Sequence, residues 1–170
     1  MADLEGLFAA HHQGLFRYFC RAVGGADAAR DLTQEVFLRM SRTSIPVAEE
    51  GSLRGWVFRI ARNLALDHHR SRMRHRDALM VIHSAARPAS QDVSAAVNEA
   101  LAALPDLDRD VFLLREVAGL GYEEIAVACE LTPDAVRSRI HRARLQLRDQ
   151  LAAPIASSRT MATPRSRQVG

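Results

Sequence analysis

Arg137, Arg139, Arg142, Arg144 and Arg148 stand in a stretch that carries no acid, with Ser138 and His141 among them. Each guanidinium is a planar fork of donors that fits a phosphate or the edge of a guanine. A run of one charge sign repels itself unless a polyanion offsets it. The chemistry these side chains suit is recognition of nucleic acid. The plainer alternative is a solvated surface helix, but such helices usually mix Glu with Arg for i,i+4 pairing, and this run does not. A second basic run extends from Arg54 to Arg76: Arg54, Arg59, Arg62, Arg70, Arg72, Arg74 and Arg76, against the single acid Asp67.

No catalytic set accompanies these runs. Gly-rich phosphate loops, nucleophile–His–acid sets and paired carboxylates at convincing spacing are not found. His68 and His69 are neighbours, so on a helix they point about 100° apart, and no Cys, Asp or Glu stands at ligand spacing to complete a metal site. Asp106, Asp108 and Asp110 recur at every second position and read as an acidic helix start favoured by the macrodipole. Cys20 and Cys129 belong to no CxxC or Cys/His cluster and read as core residues. Neither an enzyme nor a cofactor is expected.

The elements that must hold the arginines are helical. The stretch from Leu120 to Leu151 reads as two helices joined by a tight turn; the first is short, with Ile125, Ala126 and Cys129 as its apolar side, and the turn is Cys129-Glu130-Leu131. A second helix then starts with Thr132 at the N-cap, Pro133 behind it and Asp134 next. Val136, Ile140, Ala143 and Leu147 share one face of it, and Ser138, His141 and Arg142 the opposite one. Together they predict a helix-turn-helix whose second helix enters the major groove.

Upstream, residues 3–23 predict a helix burying Leu4, Leu7, Phe8, Leu15, Tyr18 and Phe19, ended by Gly24-Gly25. Asp27 would cap a helix over 28–42 that turns Leu32, Val36, Phe37 and Met40 inward. Residues 43–52, with Pro46 and Gly51, read as a loop. Ser52 would cap a helix over 53–75 with Leu53, Trp56, Val57, Ile60, Leu64 and His68 on its buried side. Its first half would dock and its second half lie along a phosphate backbone. Trp56 and Phe58 suit either the interior or a stack on an unpaired base, with packing the reading preferred for Trp56. Helices over 92–104 and 107–118 follow, the latter stopped by Gly119.

Strand-like alternation is absent, so the fold expected is all-α. It would comprise a module over 1–76, a flexible linker over 77–91 ending in Arg87-Pro88-Ala89-Ser90-Gln91, a helix-turn-helix module over 92–151, and a disordered tail over 152–170. The 170 residues carry a net charge of +3, and every basic residue is arginine. No signal peptide or membrane span is legible, which predicts a cytoplasmic protein without membrane or small-molecule partners. The acidic stretch from Glu99 to Glu116 suits a protein partner or simple solvation.

Three blocks resemble a known family, the bacterial RNA polymerase sigma factors of the small, extracytoplasmic-function type. Residues 27–40, DAARDLTQEVFLRM, resemble the segment that grips the clamp helices of the largest catalytic subunit. Residues 53–72, LRGWVFRIARNLALDHHRSR, resemble the segment that melts and reads the minus-ten element. Residues 104–148, from LPDLDRDVF to HRARLQLR, resemble the region that reads the minus-thirty-five element. Together with the spacing between them, the resemblance covers about residues 4–151.

The resemblance implies a non-catalytic subunit that binds core RNA polymerase and directs promoter-specific initiation. Its partners would be the clamp helices, the flap of the second-largest subunit and promoter DNA, with an anti-sigma factor left open. Asp31, Gln34, Glu35, Phe37, Leu38 and Arg39 would meet polymerase. Arg54, Arg59, Arg62, Asn63, Arg70 and Arg72 would meet the downstream element, where loop 43–52 would receive a base flipped from the non-template strand. Asp67 is either a further contact or an internal partner for an arginine. Arg137, Ser138, His141 and Arg142 would face the upstream groove, and Thr132 with the adjacent amides would hold a phosphate. Three positions depart from the family pattern. Arg30 stands beside Asp31 where an acid is usual. Asp134-Ala135 replaces a common Gly-Thr pair. Glu130 occupies a turn position often held by glycine, which predicts an altered turn because Glu resists positive φ. The competing reading is a stand-alone helix-turn-helix regulator that binds an operator as a dimer; it leaves 27–40 and 54–76 without a role.

Overall fold

The computed structural model describes residues 4–43, 50–79 and 92–152. Most of loop 43–52, most of the expected linker and nearly all of the expected tail lie outside them. The described residues form seven helices: α1 (Leu4–Val23), α2 (Ala26–Arg42), α3 (Glu50–Leu79), α4 (Asp92–Ala102), α5 (Asp106–Glu116), α6 (Tyr122–Cys129) and α7 (Pro133–Ala152). The all-α expectation holds.

Helix boundaries follow local chemistry, with three differences. Gly24 turns the chain at φ +76° after α1. Gly25, not Asp27, is the extended N-cap of α2; Asp27 sits in the first turn, where its charge suits the dipole and pairs with Arg30 at 3.1 Å. α3 begins at Glu50, so Ser52 lies inside its first turn rather than at its cap, and it runs on to Leu79. Gly119, at φ +72°, stops α5 as expected, and the Leu120 amide reaches back to the Leu114 carbonyl at 3.0 Å.

One contiguous core runs through the described helices. Leu7, Leu15, Tyr18 and Phe19 of α1 meet Val36, Phe37 and Met40 of α2 and Trp56, Val57 and Phe58 of α3. Phe8 differs from its expected inward place: it is 45% exposed and lies against Phe37 and His12. Trp56, Val57 and Phe58 are consecutive and all buried. One apolar stripe cannot bury three consecutive residues, because successive side chains are about 100° apart. The first half of α3 is therefore covered on more than one side. α1 and α2 take one side and α6 another, and α1 also meets α5. The two groups of helices pack against each other here.

Candidate nucleic-acid interface

The helix-turn-helix is built by α6 and α7. Ile125, Ala126, Ala128 and Cys129 of α6 are buried, as are Val136, Ile140, Ala143 and Leu147 of α7. The Thr132 hydroxyl accepts from the Ala135 amide at 3.2 Å, which makes it the N-cap of α7. Glu130 takes φ +56° and ψ +46° despite its side chain, so the turn keeps the left-handed geometry that a glycine would supply; the altered turn expected from this residue does not occur. The Leu131 amide closes it on the Ala126 carbonyl at 2.9 Å. With the apolar stripe buried, Ser138, His141 and Arg142 face solvent together, flanked by Arg137 and Thr132.

The arginines of α7 are not left to repel one another. Arg137 pairs with Asp134, Arg139 and Arg142 with Asp108, Arg144 with Glu116, and Arg148 with Asp149. Acids of α5 and of α7 itself thus offset the run, and self-repulsion alone does not demand a polyanion. Arg137 also lies over the Tyr122 ring, 5.4 Å from its centroid. Asp108 and Asp110 are buried. Asp106 and Asp108 stand in the first turn of α5, as the reading of an acidic helix start expects, and Asp106 pairs with Arg109 at 2.8 Å; Asp110 lies beyond that turn, and Asp108 and Asp110 are anchors for other helices. Sequence reasoning missed both because a carboxylate's burial depends on helices distant in the chain.

α3 carries the other candidate contacts, and the structure divides them. Arg54 donates to Glu124 at 3.3 Å and to the Ala118 carbonyl at 2.9 Å. Arg59 stands 3.9 Å from Glu130. Arg62 donates to Asp110 at 2.8 Å. These three arginines face the helix-turn-helix unit, whereas Asn63, Arg70 and Arg72 are exposed. Arg70 lies 3.7 Å from Asp67, so Asp67 is an internal partner. Asn63 opens onto a hollow where α2 ends and α3 begins, lined by Arg39, Arg42, Thr43, Trp56, Ile60 and Asn63.

Burial, the largest effect, raises the Asp110 carboxyl above the ordinary carboxylate range even against the charge and hydrogen bond of Arg62. Burial likewise pushes the Cys129 thiol up to about 12, so it stays a protonated packing group at neutral pH. Tyr18, wholly buried nearby, leaves its hydroxyl without a hydrogen-bond partner. His68 is held below its ordinary value by desolvation first and by Arg72 and His69 next. The His68 and His69 rings lie 6.4 Å apart and steeply inclined, and His69 instead meets the Ala22 carbonyl at 2.7 Å.

On α2, Asp31, Gln34, Leu38 and Arg39 are exposed and Glu35 is half-buried. Arg39 donates to Glu35 at 2.9 Å. Phe37 is only 8% exposed, and its ring lies 4.7 Å from that of Phe8. It belongs to the core, as the helical pattern expects, unlike Asp31, Gln34, Leu38 and Arg39, which are exposed beside it. Gly55 is a position that sequence reasoning missed: a Cβ there would stand 2.7 Å from the carbonyl oxygen of Glu124. A lone glycine inside a helical pattern was the signal, since such a residue is tolerated at a cost and often marks a close approach.

Two family profiles match this chain in order: sigma-70 region 2 over residues 7–75 and sigma-70 region 4 over residues 94–147. The extracytoplasmic-function sigma factor SigE of Mycolicibacterium smegmatis is 36% identical over 162 residues, spanning 89% of this chain and 63% of that protein. The sigma-H factor of Pseudomonas aeruginosa is 33% identical over 141 residues, spanning 73% of each. Among solved structures, the sigma factor RpoE in complex with the anti-sigma factor NepR from Bartonella quintana shares the fold, with a TM-score of 0.66 at 23% identity over 89% of this chain and 98% of that one. CnrH in complex with the cytosolic domain of CnrY gives 0.64 at 27% identity, covering 88% of each. The chain belongs to the sigma-70 family of RNA polymerase sigma factors, in its extracytoplasmic-function group. Members of this family are non-catalytic and bind RNA polymerase to direct promoter-specific initiation; the stand-alone regulator is not favoured.

Proposed function

We propose that α1–α3 form the polymerase-binding and minus-ten module and α4–α7 the minus-thirty-five module, with the boundaries 1–76 and 92–151 expected from the sequence. The observation that carries the second assignment is the opposition on α7 between the buried stripe Val136, Ile140, Ala143 and Leu147 and the exposed set Ser138, His141 and Arg142. A helix so divided can lay its outer face in a major groove while its inner face stays packed. Thr132 and the amides at the start of α7 sit where a phosphate would be held. On α3, Arg54, Arg59, Arg62, Asn63, Arg70 and Arg72 meet the downstream element, and the hollow beside Asn63 and Trp56 receives a base taken from the stack, whose unstacking costs a few kcal/mol.

Asp31, Gln34, Glu35, Leu38 and Arg39 on the outer side of α2 are the surface for the clamp helices, and the flap meets the second module. The protein acts in the cytoplasm, where polymerase is; among the described residues no helix is long and apolar enough to cross a membrane. CnrH was solved with a protein partner, and an anti-sigma partner for this chain is a matching proposal. Run-off transcription with core polymerase on fragments of the source genome tests the whole reading. Discrete transcripts that need both core enzyme and this chain are the result expected. A footprint by the isolated chain at one site, tight and unchanged by core enzyme, would replace it with the stand-alone regulator.

A further inference from the structure

Leu145 is a large apolar side chain on the outside of α7. It is 37% exposed and lies outside the core cluster. Its place on the helix is the reason. The buried stripe runs through Val136, Ile140, Ala143 and Leu147, and at about 100° per residue Leu145 points almost opposite to it. Leu145 stands one turn after His141 and Arg142 and two turns after Ser138, so it continues the row already assigned to the major groove. With Arg142 it borders an open hollow. The row changes character along its length. Polar and basic groups give way to Leu145 and then to Asp149, whose exposed carboxylate is paired with its neighbour Arg148. A carboxylate has no favourable place among phosphates, so the DNA contact ends between Leu145 and Asp149.

We infer that Leu145 is a specificity-determining residue for the upstream element, reading the C5-methyl group of a thymine. The inference rests on the reading of α7 as the groove helix. Ser138 and Leu145 are about 10 Å apart along the helix axis, and the major groove is about 12 Å wide, so one groove holds the whole row. In that groove the thymine methyl is the apolar feature of a base-pair edge. It offers neither donor nor acceptor, so the arginines and Ser138 cannot recognise it by hydrogen bonding. A leucine laid on it takes apolar surface of both groups out of water. A neighbouring protein is the other partner that suits an exposed leucine; the unbroken row from Ser138 through Arg142 to Leu145 favours DNA.

The test uses the full chain with core polymerase, on a promoter found by run-off transcription and randomised in its upstream element. Leu145→Ala and Leu145→Gln both remove the apolar head. Neither touches the core, so both should melt at the parent's temperature. The parent should prefer thymine at one base pair beside those that Arg142→Ala affects, and both Leu145 variants should lose that preference alone. Templates are then made in which deoxyuridine, which lacks only the methyl group, replaces that thymine. At limiting polymerase the parent's transcription should fall roughly fourfold, the effect of one methyl group no longer buried, and the Leu145 variants should be indifferent. Variants that keep every base preference of the parent overturn the inference, as does a parent that is indifferent to deoxyuridine at that pair. An equal loss on all upstream sequences overturns it too and assigns Leu145 to a polymerase contact. If Arg142→Ala also leaves every base preference unchanged, the groove reading of α7 fails, and the role of Leu145 with it.

Discussion

Arg62 on α3 and Asp110 on α5 meet at 2.8 Å across the boundary between the two groups of helices, with 19% and 9% of their side chains exposed. Two charges so placed have lost most of their hydration. Burial raises the Asp110 pKa despite its partner, whereas the Arg62 pKa is raised, against its own desolvation, by the charge and hydrogen bond of Asp110, so desolvation and attraction nearly offset each other across the pair. An apolar pair of similar volume is then expected to do as well. The double variant Arg62→Met/Asp110→Leu should unfold in urea within about 1 kcal/mol of the parent or above it. Asp110→Leu alone should be the worse protein, losing up to ~3–5 kcal/mol if Arg62 stays buried without a partner. Opening of the boundary would let water reach Arg62 and reduce that loss. A cycle in which the single changes simply add would show that the pair is not coupled.

Glu130 supplies a second test, of the turn rather than the boundary. Its φ of +56° is the one left-handed backbone outside glycine among the described residues, and an L-residue there costs roughly 1–2 kcal/mol. Its ion pair with Arg59 is exposed at 3.9 Å and offsets little of that. Glu130→Gly should therefore raise thermal stability, and Glu130→Val, branched at Cβ, should lower it. Equal melting temperatures for both variants would mean that the turn relaxes out of the left-handed region.

The polymerase surface of α2 separates into residues that can be tested and one that cannot. Leu38 is 49% exposed, large and apolar, and nothing in the fold requires it there. Leu38→Arg should abolish co-purification with core polymerase while leaving the circular-dichroism melt unchanged. Glu35→Arg should impair it as well, with a small loss from the broken Arg39 contact. Phe37→Ala should destabilise the chain by about 3–5 kcal/mol, so its loss of binding would report on the core. Normal recovery of Leu38→Arg with polymerase would remove this face of α2 from the interface.

The contrast between Leu38 and Phe37 shows what the sequence conveyed and where it stopped. Helical periodicity located α1, α2 and α7 and the buried stripe of α7, because one amphipathic face leaves a regular signature. It placed Phe37 inward, where it is buried, but placed Phe8 less well, since that ring lies at the edge of a stripe where burial depends on the neighbouring helix. The basic run on α3 was legible as charge, but not its partners. Asp110 and Glu124 are distant in the chain, and only packing brings them to Arg62 and Arg54. Gly55 was visible as a letter; the α6 backbone pressed against it was not.

Specificity is the last test, and it turns on a carboxylate beneath the recognition helix. Asp108 is buried and accepts from Arg139 at 2.6 Å and from Nε of Arg142 at 3.4 Å. The Arg142 side chain is still 58% exposed; Nη2 also lies 3.5 Å from Asp108, so the carboxylate holds the Nε/Nη2 side of the guanidinium from below while Nη1 remains available. Arg137 is held differently, by Asp134 at the helix start and by the Tyr122 ring, at the flank where phosphates are expected. An arginine forked onto guanine discriminates by ~1–3 kcal/mol per base pair, whereas a phosphate contact carries no sequence information. Arg142→Ala should relax preference at one or two base pairs of the upstream element. Arg137→Ala should weaken all upstream sequences alike and reduce the salt slope by about one unit. Asp108→Asn, which leaves Arg142 in place but weakens its anchor, should blur preference at the same base pairs that Arg142→Ala affects. Transcription from a promoter library randomised in the upstream element, at two salt concentrations, measures all three. If Arg137→Ala changes base preference while Arg142→Ala and Asp108→Asn do not, the face of α7 that meets the bases is centred on Arg137 rather than on Arg142.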